Sequence, residues 1–446
     1  MRLAFFIILF SFLPAKLFAQ YQKNVDLLDV WTDTTIAPGP ENIRFNDVFG
    51  FTHNNINYAI IGSSIGTHIL KIENQKLEFV DYVPGKYQSI IAEHRDYAVY
   101  QKYIYAVCDE GSSSLQIIDF SYLPDSVSVV YDSDVHFQIS HTIFIDTAKA
   151  KLYACGADNF GMKVLDLTDP LSPTLFYDFT QVNYVHDCRV VNDTAFLNCG
   201  YDGLQIYYFG GGIPIQMGVL DFYANQGYNH SGSISESRKQ YAFTDETEGT
   251  KIKLCYLTDN LGDIKVDEEF ATANFADNVP HDVVLYENLA ICSYYKEGLR
   301  IFDVANKPIR EIAGYDTFLE DSNFKMNGAW GVFVFKSENL ILISDRQNGL
   351  FLFYFPIDFF ENGVDNTVVT NVPFMDENSI LITRNNFVTD NLFFTIATSN
   401  GEVVYNQEDY KNWVNIPLTI SAGAYIYAIF DEDKMLLESG KFVKAN

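Results

Sequence analysis

Apolar residues in this chain come in short runs separated by turn residues, and one such run returns seven times. It reads GTHILKI from Gly66, SLQIIDF from Ser114, GMKVLDL from Gly161 and GLQIYYF from Gly203. KIKLCYL from Lys251, GLRIFDV from Gly298 and GLFLFYF from Gly349 complete the series. The starts are 48, 47, 42, 48, 47 and 51 residues apart, by subtraction of those positions. A period of about 40–50 residues with strand-type composition marks a propeller or a related array. The expected fold is therefore all-β, a seven-bladed β-propeller over 24–356.

Each unit holds three or four short strands. In the fourth they are HDCRVVN, DTAFLNC, GLQIYYF and a segment around MGVLDFY, and the sixth repeats that order. Asn192-Asp193 and Tyr201-Asp202-Gly203 punctuate the gaps as tight hairpins require. A blade cannot bury both faces alone, so neighbours must stack and the ring must close. The seventh unit stops after its third strand, at Phe355, while NVDLLDVWTD (24–33) reads as an outer fourth strand. That N-terminal strand is expected to complete the last blade.

The ends bear on location. The opening MRLAFFIILFSFLPAKLFAQ has one early Arg, an apolar run and small Ala19 before Gln20, the pattern of a signal peptide over 1–19. No later stretch reaches the roughly 18 apolar residues of a transmembrane helix. The formal net charge is −28, and removing Arg2 and Lys16 with the signal leaves 28 basic against 58 acidic residues, or −30. Such a chain repels phosphate backbones, so nucleic acid is not an expected partner. Cys108, Cys155, Cys188, Cys199, Cys255 and Cys292 form no CxxC pair and read as small core residues.

The repeats, with FNDVFGFT (45–52), SHTIFID (140–146), YVHD (184–187), PHDV (280–283) and NGAWGV (327–332), come in the order of a known family. This part of the chain resembles the LVIVD-repeat propellers, in particular the choice-of-anchor B family of exported bacterial proteins. The resemblance implies a propeller and varied C-terminal anchors, and implies no enzyme activity.

One position in the first strand of each blade carries candidate chemistry. Alignment of the units places Asn46, Arg95, His141, His186, His230, His281 and Trp330 at equivalent points, 49, 46, 45, 44, 51 and 49 residues apart. First strands line a propeller's channel, so these side chains are expected at its mouth. Three readings stay open. His141, His186, His230 and His281 could hold a transition metal such as Zn, Cu, Ni or Fe. Arg95 and the imidazoles, with Trp330, could hold an anionic or organic ligand. Or the His–Asp pairs could fasten loops, as recurrent histidine and aspartate do in the WD-repeat propellers. Strand alternation is expected to turn Asp187 and Asp282 away from the neighbouring histidines. HExxH, GxSxG, P-loop and EF-hand patterns are missing. The acidic stretches DETEGTK (245–251) and Asp431–Asp433 read as solvated charge.

Beyond Phe355 the repeat ends. Residues 368–446 read as alternating strands, expected to form a small immunoglobulin-like β-sandwich. TSNGEVVY (398–405), ISAGAYIYAI (420–429) and GKFVK (440–444) resemble the type A sorting domain of the type IX secretion system of Bacteroidota, with VPFMDENSI in place of the usual proline-asparagine-proline opening. That resemblance implies the type IX machinery as a partner and a secreted or outer-membrane cell-surface location. The expected function is a binding or interaction module for a glycan, a peptide or an envelope protein. The alternative is an exported metalloenzyme built on the histidines.

Overall fold

The computed structural model describes residues 21–357, apart from 287 and 321–322. Further along it describes 374–375, 380–381, 393–398, 403–407, 423–430 and 436–444. The signal-peptide reading and Asp431–Asp433 lie outside the described residues.

Seven antiparallel sheets follow one another along the chain. Blades one to six run Phe45–Pro84, Arg95–Ser133, Thr142–Phe179, Asp187–Leu220, Asn229–Phe270 and Pro280–Tyr315, each with four strands in sequence order. The seventh contains Ala329–Phe335, Leu340–Asp345 and Gly349–Tyr354. Its fourth strand is Asp26–Trp31, which pairs antiparallel with Gly349–Tyr354. A propeller ring thus closes as the sequence pattern predicts. Gln22–Lys23 also adds a fifth strand to blade six.

The strands are apolar because both faces of each blade are covered. Seven hydrophobic clusters occupy the seven blade–blade interfaces. One joins Ile291 and Ile301 of blade six to Ile343 and Phe353 of blade seven, with Leu27 of the N-terminal strand packed against it. Another joins Leu342 and Leu352 of blade seven to Ala59, Ile61 and Leu70 of blade one, against Leu28 and Trp31. The remaining five pair the other neighbours in the same way. All six cysteines are buried free thiols within these layers. Gly203 and Gly298, both at φ +73°, enter the third strands of their blades with a neighbouring carbonyl oxygen 2.3 Å from where a Cβ would stand. Only glycine fits there.

The C-terminal unit, 362–446, is a separate compact body. Its described strands form one antiparallel sheet ordered Val403–Gln407, Phe393–Thr398, Gly423–Phe430, Leu436–Lys444, plus a two-residue pairing of Phe374–Met375 with Ile380–Leu381.

Deleting the chain through Trp31 should expose the edge of Gly349–Tyr354 and loosen two interfaces together. A milder Trp31→Ala change should cost about 2–3 kcal/mol, because the indole is only partly buried. Thermal unfolding checks both. An unchanged Tm after the deletion would show that the ring does not depend on this strand.

Candidate functional site

The first strands deliver a closed aromatic ring to the channel mouth. Around it stand His94, His141, His186, His230, His281 and Trp330. Consecutive ring centroids are 5.4, 4.1, 4.2, 4.4 and 4.4 Å apart, and 5.2 Å closes Trp330 back to His94. Five of these residues are those the repeat alignment picks out; His94 is not.

Arg95 and Asn46 depart from the alignment. Blade two enters its inner strand one residue out of step. Arg95 pairs with Cys108, whereas Thr142, the residue after His141, pairs with the equivalent Cys155. The imidazole at the mouth is therefore that of His94. The Arg95 guanidinium lies against Gly85 and is spent on carbonyls, with Nε donating to Ser63 O at 2.7 Å and Nη2 donating to Tyr87 O. It fastens blade two to blade one while still lining the cavity. Asn46 is fully buried and donates to Ala92 O at 3.4 Å, away from the ring. Blade one accordingly gives the ring nothing.

Each imidazole is pinned by its Nδ1. His186 Nδ1 meets His230 O at 3.1 Å, His230 Nδ1 meets His281 O at 3.0 Å, and His281 Nδ1 meets Trp330 O at 2.7 Å. A carbonyl only accepts, so these three nitrogens carry the proton and Nε2 keeps its lone pair. His141 Nδ1 bonds Asp109 Oδ2 at 2.8 Å, and His94 Nδ1 bonds Glu110 Oε1. Burial, with the like-charged neighbouring histidines, holds His186, His230 and His281 well below the ordinary imidazole range. Burial works against charge on His141 too, but the Asp109 carboxylate outweighs it and lifts that imidazole above the usual value.

Behind the ring stand groups that no motif revealed. Glu246 accepts from Tyr295 Oη through Oε1, and its Oε2 is 3.8 Å from His230 Nε2. Burial raises its carboxyl. Its neighbour Asp245 is fully buried, accepting from Tyr223 Oη at 2.7 Å and lying 3.3 Å from Lys253 Nζ. The start of 245–251 is thus site and core, not solvated charge. Arg346 stacks 4.5 Å over the Trp330 ring and bonds Glu93 at 2.7 Å. Asp109, Glu110 and Glu246 share a signal that could have found them: all follow directly on second strands, where the loops lean over the mouth.

A second layer lies one residue deeper. Asp47, Asp96, Thr142, Asp187, Ser231 and Asp282 line the same cavity of ≈ 200 Å³ as the ring. The expectation that Asp187 and Asp282 turn away from the histidines fails for a local reason. Register shifts at Asn46–Asp47, His230–Ser231, His281–Asp282 and Trp330–Gly331 are bulges, which break strand alternation. Asp187 instead begins its strand, with His186 still outside it. Gly331 belongs to this layer because Asp47 Oδ1 lies 2.0 Å from where its Cβ would stand. Arg189 Nη1 bonds Asp187 Oδ1 at 2.8 Å. Burial, then repulsion from Asp96, holds the Asp47 carboxyl well above its ordinary 3.8; burial lifts Asp96 to about 6. A side-chain hydrogen bond between the two favours the proton on Asp47, raising its carboxyl while working against the rise of Asp96.

That pair ties stability to pH. The folded protein keeps protons here that the unfolded chain releases near pH 4, so the contribution falls as pH rises from about 4 through 6 and beyond. Asp47→Asn should keep a donor for Asp96, raise stability at pH 7.5 by about 1 kcal/mol, and flatten the pH profile. Thermal melts from pH 4 to 8 check this; a lower Tm at pH 7.5 would contradict it.

No family model matches the chain, and no curated protein matches it in sequence. Among solved structures, one assigned provisionally as a 6-phosphogluconolactonase from Bacteroides uniformis ATCC 8492 aligns at 12% identity and TM-score 0.49. It covers 90% of this chain and 99% of its own. The β-propeller domain of Myceliophteria thermophila Cps50 (Swd1) aligns at 9% identity and TM-score 0.52, covering 74% of this chain and 98% of its own. At such identities a likeness speaks to fold alone. What the strand order and the likeness to the Swd1 domain establish together is an all-β, seven-bladed β-propeller.

Proposed function

We propose that this protein is an exported binding module whose working end is the imidazole-lined channel mouth. The observation that carries this reading is the closed ring of five imidazoles and one indole, assembled from six different blades. Recurrent histidines that only fastened loops would have no need to meet around one axis. The cavity beneath is smaller than the roughly 300–1,000 Å³ of ordinary organic-ligand pockets. A glycan, peptide or envelope protein would therefore sit across the mouth and not inside it. Beside the mouth, a polar groove is lined by Gln181, Asn183, Asp202, Gln216 and the largely exposed Tyr201. Amides and carboxylates flanking an aromatic face suit sugar hydroxyls and their apolar C–H faces. Tyr201 contacts Tyr228 at 5.2 Å, and Tyr228 meets the edge of His186 at 5.4 Å, so a chain of aromatic contacts links groove and ring.

A second reading, an exported metalloenzyme, draws on the free Nε2 nitrogens. Its first requirement, a bound ion, is separable from any reaction.

The tail from 368 to 446 would be the immunoglobulin-like sorting domain that its motifs resemble. It would deliver the propeller through the type IX machinery to the cell surface or the medium, a tail compatible with the varied C-terminal anchors of the LVIVD-repeat, choice-of-anchor B proteins. Deleting 368–446 should leave the propeller in the periplasm of a type IX-competent host, as read by fractionation. Surface delivery without the tail would overturn that assignment.

For the binding role, glycan and peptide arrays probed in chelator should give hits that weaken about tenfold or more with Trp330→Ala or Tyr201→Ala, as loss of an aromatic contact implies. Hits indifferent to both changes would move the ligand site elsewhere on the propeller.

A further inference from the structure

We infer that the ring is a transition-metal site in which His186, His230 and Glu246 hold one divalent first-row ion, with His281 as the adjoining nitrogen. The inference deepens the reading of the mouth as the working end and rests on it. Its first support is the orientation of the imidazoles. All five use Nδ1 outward, two on carboxylates and three on main-chain carbonyls. Metal-binding histidines are typically held this way, with the far nitrogen donated to a partner and Nε2 presented to the ion. Here the partner of each of three imidazoles is the backbone of the next blade, so the ring itself fixes the tautomer.

The second support is distance. One nitrogen each of His186 and His230 and a carboxylate oxygen of Glu246 lie within 4.8 Å of one another. Ligands at 2.0–2.1 Å in a tetrahedron stand about 3.3 Å apart, so closure needs side-chain shifts of about an ångström. A third observation is independent of both: His281 Nε2 is buried in a residue only 3% exposed and has no hydrogen-bond partner. Leaving a polar nitrogen in that state costs free energy unless something is there to accept its lone pair.

Geometry also says where the ion cannot be. A regular hexagon's radius equals its side, so for a ring of this size, with sides of 4.1 to 5.4 Å, the centroids stand well beyond bonding distance of the axis. An ion on the axis would be too far from all six residues to bond them. It must sit to one side, between neighbouring imidazoles, and Glu246 selects the side of His186 and His230. A second grouping, of His230, His281 and Asp282, is the weaker alternative. The nitrogens nearest Asp282 Oδ1 are the Nδ1 atoms, at 4.0 and 3.6 Å, and both already donate to carbonyls. Imidazole with one carboxylate suits Zn, Cu or Ni better than Ca or Mg, which prefer oxygen. Three protein ligands leave a fourth coordination position, which the unpartnered His281 Nε2 can take.

The test titrates the EDTA-stripped full chain with Zn²⁺, Ni²⁺ and Cu²⁺ alone, reading calorimetry, metal content after gel filtration, and the Cu²⁺ EPR spectrum. The expected result is one equivalent retained, with nitrogen hyperfine structure from at least two imidazoles. His230→Gln and Glu246→Gln should each weaken binding about 10–100-fold, while His53→Ala, away from the ring, should leave it unchanged. Retention below a tenth of an equivalent, or uptake that survives His186→Gln with His230→Gln, would overturn the site. Should the histidine variants fail to fold, Glu246→Gln and the wild-type EPR spectrum still decide, since a spectrum without nitrogen coupling refutes the assignment. Because the arrays are run in chelator and this titration holds no organic ligand, either can fail without the other.

Discussion

Everything in the propeller depends on blade-to-blade burial. A four-stranded sheet with apolar residues on both faces is not stable in water alone, and each blade here is covered only by its neighbours. The seven interfacial clusters are therefore one cooperative object, and it is complete only when the last blade meets the first. Leu27 packs on one side of the closing blade, and Leu28 and Trp31 on the other. The N-terminal strand thus acts on two interfaces at once, joining residues more than 300 positions apart in the chain.

The same closure builds the site. No two of the six ring residues come from one blade, and each imidazole is held by the backbone or an acidic loop of another element. His186, His230 and His281 form a relay of Nδ1–carbonyl bonds that runs from blade four to blade seven. Imidazoles kept neutral by burial, in one tautomer, with Nε2 unspent, are a different chemical object from three histidines in solution. Beneath them the acidic layer stores protons, and Arg189 offsets part of its charge.

His141, His186, His230, His281 and Trp330 were legible because a 44–51-residue rhythm returns them to the same strand position. His94 was not, because the rhythm cannot register a one-residue change in how blade two pairs its inner strands. Arg95 lines the same cavity but, for the same reason, is not a member of the aromatic ring. Asp187 and Asp282 were turned the wrong way because alternation assumes an unbroken strand. Bulges at several first strands, and a strand that starts late in blade four, cancel that assumption. Glu246 was hidden in a run of charge that reads as solvated until Lys253, Tyr223 and Tyr295 are placed around it.

By itself the sequence determined the number of blades, the strand order within them, the closing strand and most of the ring. These follow from periodic burial, which is a local property repeated. The tertiary structure alone decided which nitrogen of each imidazole is free, which carboxylates face the channel, and that Arg95 serves the frame while His94 serves the mouth. Those outcomes turn on register and on contacts between distant blades, and neither is written in the period of the chain.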